Sequence, residues 1–127
     1  PWDAVELPSQ FMENWCWEKE ALDFISGHFE THEPLPEEKL NQLLKAKNYQ
    51  AAMFVLRQLE FGLFDFTLHH TFEPGKANQV LDTLKAVKDK VAVIKGVEWA
   101  RAPHSFSHIF AGGYAAGYSS SLWSYWM

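Results

Sequence analysis

The sequence predicts an all-α protein, a single multi-helix domain with a long buried helix at its centre. Apolar residues recur at steps of three and four along nearly the whole chain, which is the spacing of amphipathic helices. No segment shows the convincing alternation of apolar and polar residues expected of a half-buried strand. A chain of 127 residues is long enough for one domain with its own core. We therefore expect residues 1–127 to form one helical domain.

The first helix is expected over residues 3–17. Asp3 and Glu6 have the spacing of a capping box, in which the two residues satisfy each other's backbone amides. Pro8 conflicts with this start, because proline is free of cost only at the very beginning of a helix. A helix that runs from Pro8 is the alternative, and in both cases Glu6 lies in or beside the first turn.

Two shorter helices are expected next. Residues 19–26 have a helical pattern that Gly27 would end. Residues 31–36 contain two prolines and predict a loop. Pro36 then opens a helix with acidic residues in its first turn and Lys45 near its end, which is the charge order that the helix dipole favours.

Residues 49–72 predict the longest helix. Its large apolar residues fall on several faces: Met53, Phe54, Leu56, Leu59, Phe61, Leu63, Phe64 and Phe66. A helix with apolar residues on so many faces is normally covered on several sides, so we expect it to be central. The sequence Glu-Pro-Gly at residues 73–75 ends it.

The last third of the chain predicts three further helices. Residues 76–93 form an amphipathic pattern with one apolar stripe, which consists of Val80, Leu84, Val87 and Val91. Residues 94–103 are expected to connect this helix to a short one over residues 105–110. A flexible joint at Gly112 and Gly113 then precedes a final helix over residues 114–126.

Charge and hydropathy exclude several classes of function. The net charge is −5 and no basic cluster occurs, so nucleic acid is not an expected partner. No apolar run of about 18 residues and no signal peptide is present, so we expect neither a membrane span nor export. The single cysteine, Cys16, excludes an intrachain disulfide, and a cytoplasmic protein is the simpler expectation. Between Trp15 and Trp17, Cys16 is expected to be a small core residue.

The aromatic content is high for so short a chain. Phe, Trp and Tyr make up 16% of the residues. One interpretation is a dense aromatic core. The other is that part of this surface is covered by other protein, for example in a homo-oligomer. The two interpretations are compatible.

Glu6 and Glu13 are the first candidate for chemistry. They stand seven positions apart, which is about two helical turns, so both carboxylates would share one face of the first helix. Taken alone, such a pair is typical of a solvated helix face. The apolar residues around it leave only a narrow polar stripe, and buried carboxylates need a partner, for which a cation is the usual choice.

The second and third candidates lie near the carboxyl terminus. His104 and His108 have the i, i+4 spacing with which one helix can bind a metal, although polar histidines on a half-buried helix are the alternative. Tyr114 and Tyr118 are one turn apart and would present two hydroxyls to one side. Such hydroxyls can donate to a developing oxyanion, but they also occur on ordinary core aromatics.

Three segments of the chain together resemble one protein family. They are Val5-Glu-Leu-Pro-Ser-Gln-Phe-Met-Glu-Asn-Trp15, Leu59-Glu-Phe-Gly-Leu-Phe-Asp-Phe-Thr-Leu-His69 and Phe106-Ser-His-Ile-Phe-Ala-Gly-Gly-Tyr-Ala-Ala-Gly-Tyr118. In this order they are similar to the thimet oligopeptidase and oligopeptidase A family of zinc metallopeptidases, which hydrolyse short peptides. The likeness spans nearly the whole chain and implies part of a metallopeptidase catalytic domain.

The resemblance assigns roles to the candidate residues. It implies that Glu6 is the third zinc ligand and that Glu13 orients a ligating histidine. His108 would stabilise the tetrahedral intermediate or bind the substrate backbone. The joint formed by Gly112 and Gly113 would close over a peptide, and the two tyrosines, Tyr114 and Tyr118, would lie near the scissile bond.

Two departures from the family pattern limit what the resemblance implies. The His-Glu-x-x-His helix, which carries two zinc ligands and the general base, does not occur in these 127 residues. Ser121 stands where the family has a catalytic tyrosine, and its hydroxyl is too short to reach the same position. We therefore expect a fragment, truncated at both ends, that alone neither binds zinc nor cleaves peptides. The alternatives are a peptide-binding or self-associating module, or one part of a split metallopeptidase.

Overall fold

Residues 1–126, the part of the chain that the computed structural model describes, contain seven α-helices and no β-strand. The helices are α1 (Leu7–Glu13), α2 (Lys19–Ile25), α3 (Glu37–Ala46), α4 (Ala51–Thr71), α5 (Gln79–Val91), α6 (Ser107–Phe110) and α7 (Ser120–Trp126). Short 3₁₀ helices span Trp2–Ala4, Asn14–Trp17 and Ala102–Ser105. The all-α prediction is confirmed. Met127, the last residue of the predicted domain, lies outside the described residues.

The core forms where α4 packs against α5 and α6. Phe64 and Leu68 of α4, Val87 of α5 and Ile109 of α6 are buried together. Burying each such side chain contributes about 1.5–3 kcal/mol. The predicted stripe of α5 faces this cluster, and the partly buried residues packed on it are Leu63, Val80, Leu84, Val91, Phe106 and Tyr118. The buried residues of α4 begin at Glu60, while its first turns are more exposed.

The predicted first helix is divided into three pieces. The chain forms a 3₁₀ helix at Trp2–Ala4, then α1 at Leu7–Glu13, then a second 3₁₀ helix at Asn14–Trp17. The capping box is wrong, because Glu6 is the N-cap residue and makes no side-chain capping bond. Pro8 is the physical reason: it lacks an amide hydrogen and its ring clashes with the carbonyl four residues earlier. The alternative start near Pro8 is therefore confirmed.

The prediction that Cys16 is a core residue is wrong. Cys16 lies in the 3₁₀ helix Asn14–Trp17 and is exposed. This segment packs mainly on the short helices α1 and α2, which contain no buried residue. Flanking tryptophans therefore do not enclose the thiol here, because they are themselves on a thinly covered part of the fold.

The predicted final helix begins six residues too early. Residues 114–119 form turns, and α7 begins at Ser120. The backbone is left-handed at Gly113 (φ +83°) and at Ala116 (φ +55°), which a right-handed helix cannot include. A long-range contact holds this turn, since the Asp65 carboxylate accepts hydrogen bonds from two of its amides.

The two ends of the chain meet on one side of the fold. α7 packs against the 3₁₀ helix Trp2–Ala4 and against α1. Gln10 of α1 donates from Nε2 to the carbonyl oxygen of Ser121 in α7, at 2.9 Å. This packing brings the first turn of α1 beside the turn that precedes α7. Within residues 1–126, no helix is long and apolar enough to cross a membrane.

Candidate active site

Glu6 and Tyr114 are 108 residues apart in sequence and are hydrogen-bonded in the structure. The Tyr114 hydroxyl donates to Oε1 of Glu6. The Ser9 hydroxyl lies 2.8 Å from Oε2 of the same carboxylate. The Trp2 ring packs on Tyr114 with the ring centroids 5.4 Å apart. The Glu6 carboxylate therefore finds hydrogen-bond donors both on the first turn of α1 and on the distant turn that contains Tyr114.

His108 borders both tyrosines of that turn. Its ring centroid is 6.1 Å from that of Tyr114 and 5.8 Å from that of Tyr118. Tyr118 donates from its hydroxyl to Oε1 of Gln58 on α4, at 3.0 Å. Four of the predicted site residues, Glu6, His108, Tyr114 and Tyr118, are thus brought together from two distant parts of the sequence.

Hydrogen bonding sets the protonation states at the centre of the site. The bond from Tyr114 lowers the pKa of Glu6 below its ordinary value, the Ser9 hydroxyl adds to this, burial opposes it, and His108 lowers it slightly. Donation to that carboxylate raises the pKa of Tyr114 above its ordinary value. Burial likewise raises the pKa of Tyr118, against the effect of the Arg57 charge. At neutral pH the site therefore holds an ionised Glu6 and neutral tyrosines.

Gly112 and Gly113 have structural reasons to be glycine. A Cβ on Gly112 would lie 3.0 Å from the Cα and the carbonyl oxygen of His108. Gly113 adopts a left-handed backbone with φ +83°, which glycine adopts without steric cost. Both residues let the chain reverse tightly after α6 and place Tyr114 over Glu6. Movement of this joint over a peptide stays a prediction.

Other predicted residues are placed less favourably. Glu13 is the last residue of α1 and is exposed, so its role beside a ligating histidine stays a prediction. His104 and His108 are not on one helix as the sequence predicted. His104 lies in the 3₁₀ helix Ala102–Ser105 and His108 in α6, because the backbone leaves helical geometry at Phe106 (φ −82°, ψ 68°).

Asp65 is a site residue that the sequence did not reveal. It is 1% exposed and accepts hydrogen bonds from the amides of Ala116 and Tyr118. The available signal was a carboxylate among the apolar residues of α4, where a buried charge needs a specific partner. The helical pattern alone does not name that partner, because it lies more than 50 residues away in sequence.

The residues present do not form a complete zinc site. Within residues 1–126, no group of three or more His, Cys, Asp or Glu side chains is arranged to hold a metal ion. A catalytic zinc ion commonly has three protein ligands. Glu6 has the correct chemistry for one of them, because it is ionised at neutral pH and partly accessible.

The turn at residues 114–119 contains Tyr114 and Tyr118 and is called the tyrosine turn. A cavity of about 240 Å³ opens beside it. Its apolar wall includes Phe61, Phe64, Leu84 and Phe106, and His108 and Tyr118 stand at its edge. The Arg57 guanidinium also lines the cavity and forms a 2.7 Å ion pair with Glu60. The cavity is therefore mainly apolar, with a few hydrogen-bonding groups in its lining, as is common in ligand-binding cavities.

The sequence of the chain matches a known protein family over its whole length. Residues 1–127 match the model of peptidase family M3. Over 98% of its own length, the chain is 82% identical to oligopeptidase A of Haemophilus influenzae. It is 68% identical to oligopeptidase A of Escherichia coli over 98% of its length, and 40% identical to saccharolysin of Saccharomyces cerevisiae over 98%. The chain spans 18% of the length of the two oligopeptidases and 17% of that of saccharolysin.

Proposed function

The chain belongs to peptidase family M3, a family of metallopeptidases, and we propose that it forms one side of the active centre of a zinc-dependent oligopeptidase acting on short peptides. The observation that carries this proposal is the hydrogen bond between Tyr114 and Glu6. It joins Glu6, the proposed metal-ligand carboxylate, to the turn that carries the hydroxyl donors. A hydrolytic centre needs both kinds of group close to one another.

Glu6 is the proposed metal ligand, and Glu13 is the proposed partner of a histidine ligand. When bound, zinc would polarise a peptide carbonyl and lower the pKa of a water molecule. These 127 residues contain no His-Glu-x-x-His sequence, so two ligands and the general base must come from elsewhere. The proposal therefore includes that this chain alone neither retains zinc nor cleaves peptides, and that it acts as one part of a larger centre.

The proposed role of the remaining residues is to hold the peptide. The hydroxyls of Tyr114 and Tyr118 and the imidazole of His108 are donors for a carbonyl oxygen that gains negative charge. Tyr114 is engaged with Glu6 in the structure, so it must exchange that bond to reach a substrate. The turn at Gly112 and Gly113 would bring its backbone over the peptide. Ser121 lies in α7 and its hydroxyl is too short to act as a further tyrosine would.

Reconstitution tests this proposal. The chain is assayed for zinc by elemental analysis and for cleavage of a quenched-fluorescence peptide, alone and mixed with a polypeptide that carries the His-Glu-x-x-His portion of an oligopeptidase A. We expect no cleavage by the chain alone, and cleavage by the mixture that Glu6→Gln abolishes and Glu38→Gln, an exposed control on α3, leaves intact.

Two results would contradict the proposal. Stoichiometric zinc together with cleavage by the chain alone would show that these residues are sufficient. Cleavage by the mixture that is unchanged in Glu6→Gln would remove Glu6 from the metal site.

A peptide-binding module without catalysis is the second candidate, and the cavity of about 240 Å³ beside His108 favours it. Calorimetric titration with short peptides tests it, using His108→Ala and the matched control His104→Ala, an exposed histidine on the preceding 3₁₀ helix. We expect weaker binding only in His108→Ala. Affinity that is absent in the unsubstituted chain, or equal in all three, would exclude this function.

The proposed compartment is the cytoplasm. The single exposed thiol of Cys16 is in keeping with a reducing environment. Relatives differ in this respect, since a 48% identical protein of Arabidopsis thaliana is named a probable cytosolic oligopeptidase A and a 50% identical one an organellar oligopeptidase A. Fractionation of the source cells followed by immunoblotting tests the assignment, and recovery outside the cytosolic fraction would contradict it.

A further inference from the structure

Asp65 is a buried carboxylate that the proposed hydrolytic groups do not include. It lies on α4 between Phe64 and Phe66 and is 1% exposed. Burying an ionised carboxylate is costly unless hydrogen bonds replace the lost water. Asp65 has such partners at both oxygens, and they come from a single turn and a single histidine. The arrangement is therefore a built site, and its partners indicate its role.

Each carboxylate oxygen of Asp65 accepts a hydrogen bond from one backbone amide of the turn. Oδ1 accepts from the Ala116 amide at 2.8 Å, and Oδ2 accepts from the Tyr118 amide at 2.9 Å. Ala116 has a left-handed backbone with φ +55°, a strained conformation for a residue with a Cβ that surrounding contacts can hold in place. The carboxylate supplies such contacts, because it binds the strained residue and the residue two positions later.

His69 completes the arrangement from one turn further along α4. Its Nδ1 lies 2.8 Å from Oδ1 of Asp65 and 2.9 Å from the Asp65 carbonyl oxygen. This contact restricts the rotation of the carboxylate and favours the rotamer in which both oxygens face the turn. Asp65 is therefore fixed on the helix side as well as on the turn side.

The clamped turn carries the two tyrosines of the candidate active site. Tyr114 stands two residues before Ala116 and donates to Glu6, while Tyr118 is itself held by Asp65 and faces His108. We propose that Asp65 is a positioning residue, which holds this turn so that both tyrosines face His108 and Tyr114 also reaches Glu6. The catalytic meaning of this role rests on the proposed function, whereas the clamp itself is a property of this chain.

A general contribution of Asp65 to the core is the competing explanation. In that case its replacement would loosen the fold as any core substitution does, without a particular effect on the turn. Val87→Ala provides the comparison, because Val87 is buried on α5 in the same core and is not in the turn. The two explanations differ in where the loosening occurs, which amide exchange resolves residue by residue.

Nuclear magnetic resonance on the intact chain tests the clamp in two ways. In the unsubstituted chain, scalar couplings across the hydrogen bonds should connect the amide nitrogens of Ala116 and Tyr118 to the carboxyl carbon of Asp65. In Asp65→Asn one oxygen becomes an NH₂ donor, so at least one of these amides should exchange about tenfold faster or more, beyond the change elsewhere. The Tyr118–His108 ring cross-peaks should be lost as well.

Val87→Ala should accelerate exchange throughout the core and retain the ring cross-peaks. Absence of both scalar couplings in the unsubstituted chain would overturn the inference even if Asp65→Asn does not fold. An Asp65→Asn variant with the same local exchange and the same cross-peaks as Val87→Ala would also overturn it. The two proposals fail separately: reconstituted cleavage that is indifferent to Glu6→Gln removes the proposed function, and missing couplings beside a Glu6-dependent cleavage remove only the clamp.

Discussion

Gly112 makes the closest backbone approach in the candidate site, so Gly112→Ala tests how the tyrosine turn is built. A Cβ at this position would lie 3.0 Å from the Cα and carbonyl oxygen of His108 and 3.3 Å from the Ser107 carbonyl oxygen. All three are backbone atoms, which cannot rotate away as a side chain can. The amides of Gly112 and Tyr114 also donate to the Ser107 and His108 carbonyls, at 2.7 Å and 3.0 Å, and would be disturbed by a shift.

The expected loss follows from two opposing terms. Forcing an additional carbon into a packed site typically costs about 1–3 kcal/mol. Replacing glycine also restricts the unfolded chain, which returns about 0.4–1 kcal/mol. We therefore expect Gly112→Ala to lower the free energy of unfolding by about 1–2 kcal/mol.

Urea unfolding measures this loss, and two other glycines serve as controls. At Gly96 the nearest atom to a new Cβ is Lys88 Nζ at 3.5 Å, the end of a flexible side chain, so Gly96→Ala should leave the free energy of unfolding unchanged or raise it by up to about 1 kcal/mol. At Gly75 nothing lies within 4 Å, but φ is +88°. Gly75→Ala should therefore cost about 1–2 kcal/mol through backbone strain alone.

Amide chemical shifts separate the two destabilised variants. Gly112→Ala should shift the resonances of His108 and Tyr114, whereas Gly75→Ala should leave them in place because Gly75 lies between α4 and α5. Equal free energies of unfolding for Gly112→Ala and Gly96→Ala would show that the close approach of Gly112 to His108 is absent.

Further predictions concern the core, the site and the surface. Leu68→Ala, at a residue 5% exposed, should lower the free energy of unfolding by about 2–5 kcal/mol in urea, and Leu81→Ala, at 39% exposed, by clearly less; equal losses would contradict the packing of α4 on α5. Because its pKa is lowered in the folded chain, Glu6 contributes stability that is present above its unfolded pKa of 4.5 and is lost as pH falls through the folded pKa. In acid unfolding curves, Glu6→Gln should therefore reduce this loss of stability, and Glu38→Gln should not. The raised pKa of Tyr114 gives stability that is present below its unfolded pKa of 10.0 and lost as pH rises through the folded pKa; Tyr114→Phe should remove that alkaline loss, and an unchanged curve would argue against the bond to Glu6. Light scattering should show a dimer or a larger species that Phe24→Ser, at a residue 90% exposed, shifts toward monomer; a clean monomer at high concentration would exclude self-association.

The sequence predicts the long helices well because their signal is long. α4 and α5 extend over 21 and 13 residues, and their apolar spacing therefore repeats several times. The starts of α1, near Pro8, and of α7, at Ser120, are harder to predict from the apolar spacing. Pro8 sets one of them through local stereochemistry, but Asp65 sets the other from α4, a contact that no local pattern contains.

The residues of the candidate site are likewise only partly predictable from the sequence. The family resemblance identifies Glu6, His108, Tyr114 and Tyr118, and the structure brings all four together. The sequence does not identify Asp65, because a carboxylate in a helix is most often solvated. Its burial depends on the tertiary contacts of α4. The expected position of Cys16 fails for the same physical reason, since burial is decided by what packs on a segment rather than by its composition.

The 3₁₀ helix Trp2–Ala4, the first turn of α1, helix α6 and the tyrosine turn together form one site. Nuclear Overhauser measurements on the folded chain test it most directly, because they report distances between protons of separate segments. We expect cross-peaks from the Tyr114 ring to both the Trp2 and the His108 rings, whose centroids lie 5.4 Å and 6.1 Å from it. A folded chain in which the Tyr114 ring shows neither cross-peak would contradict the account.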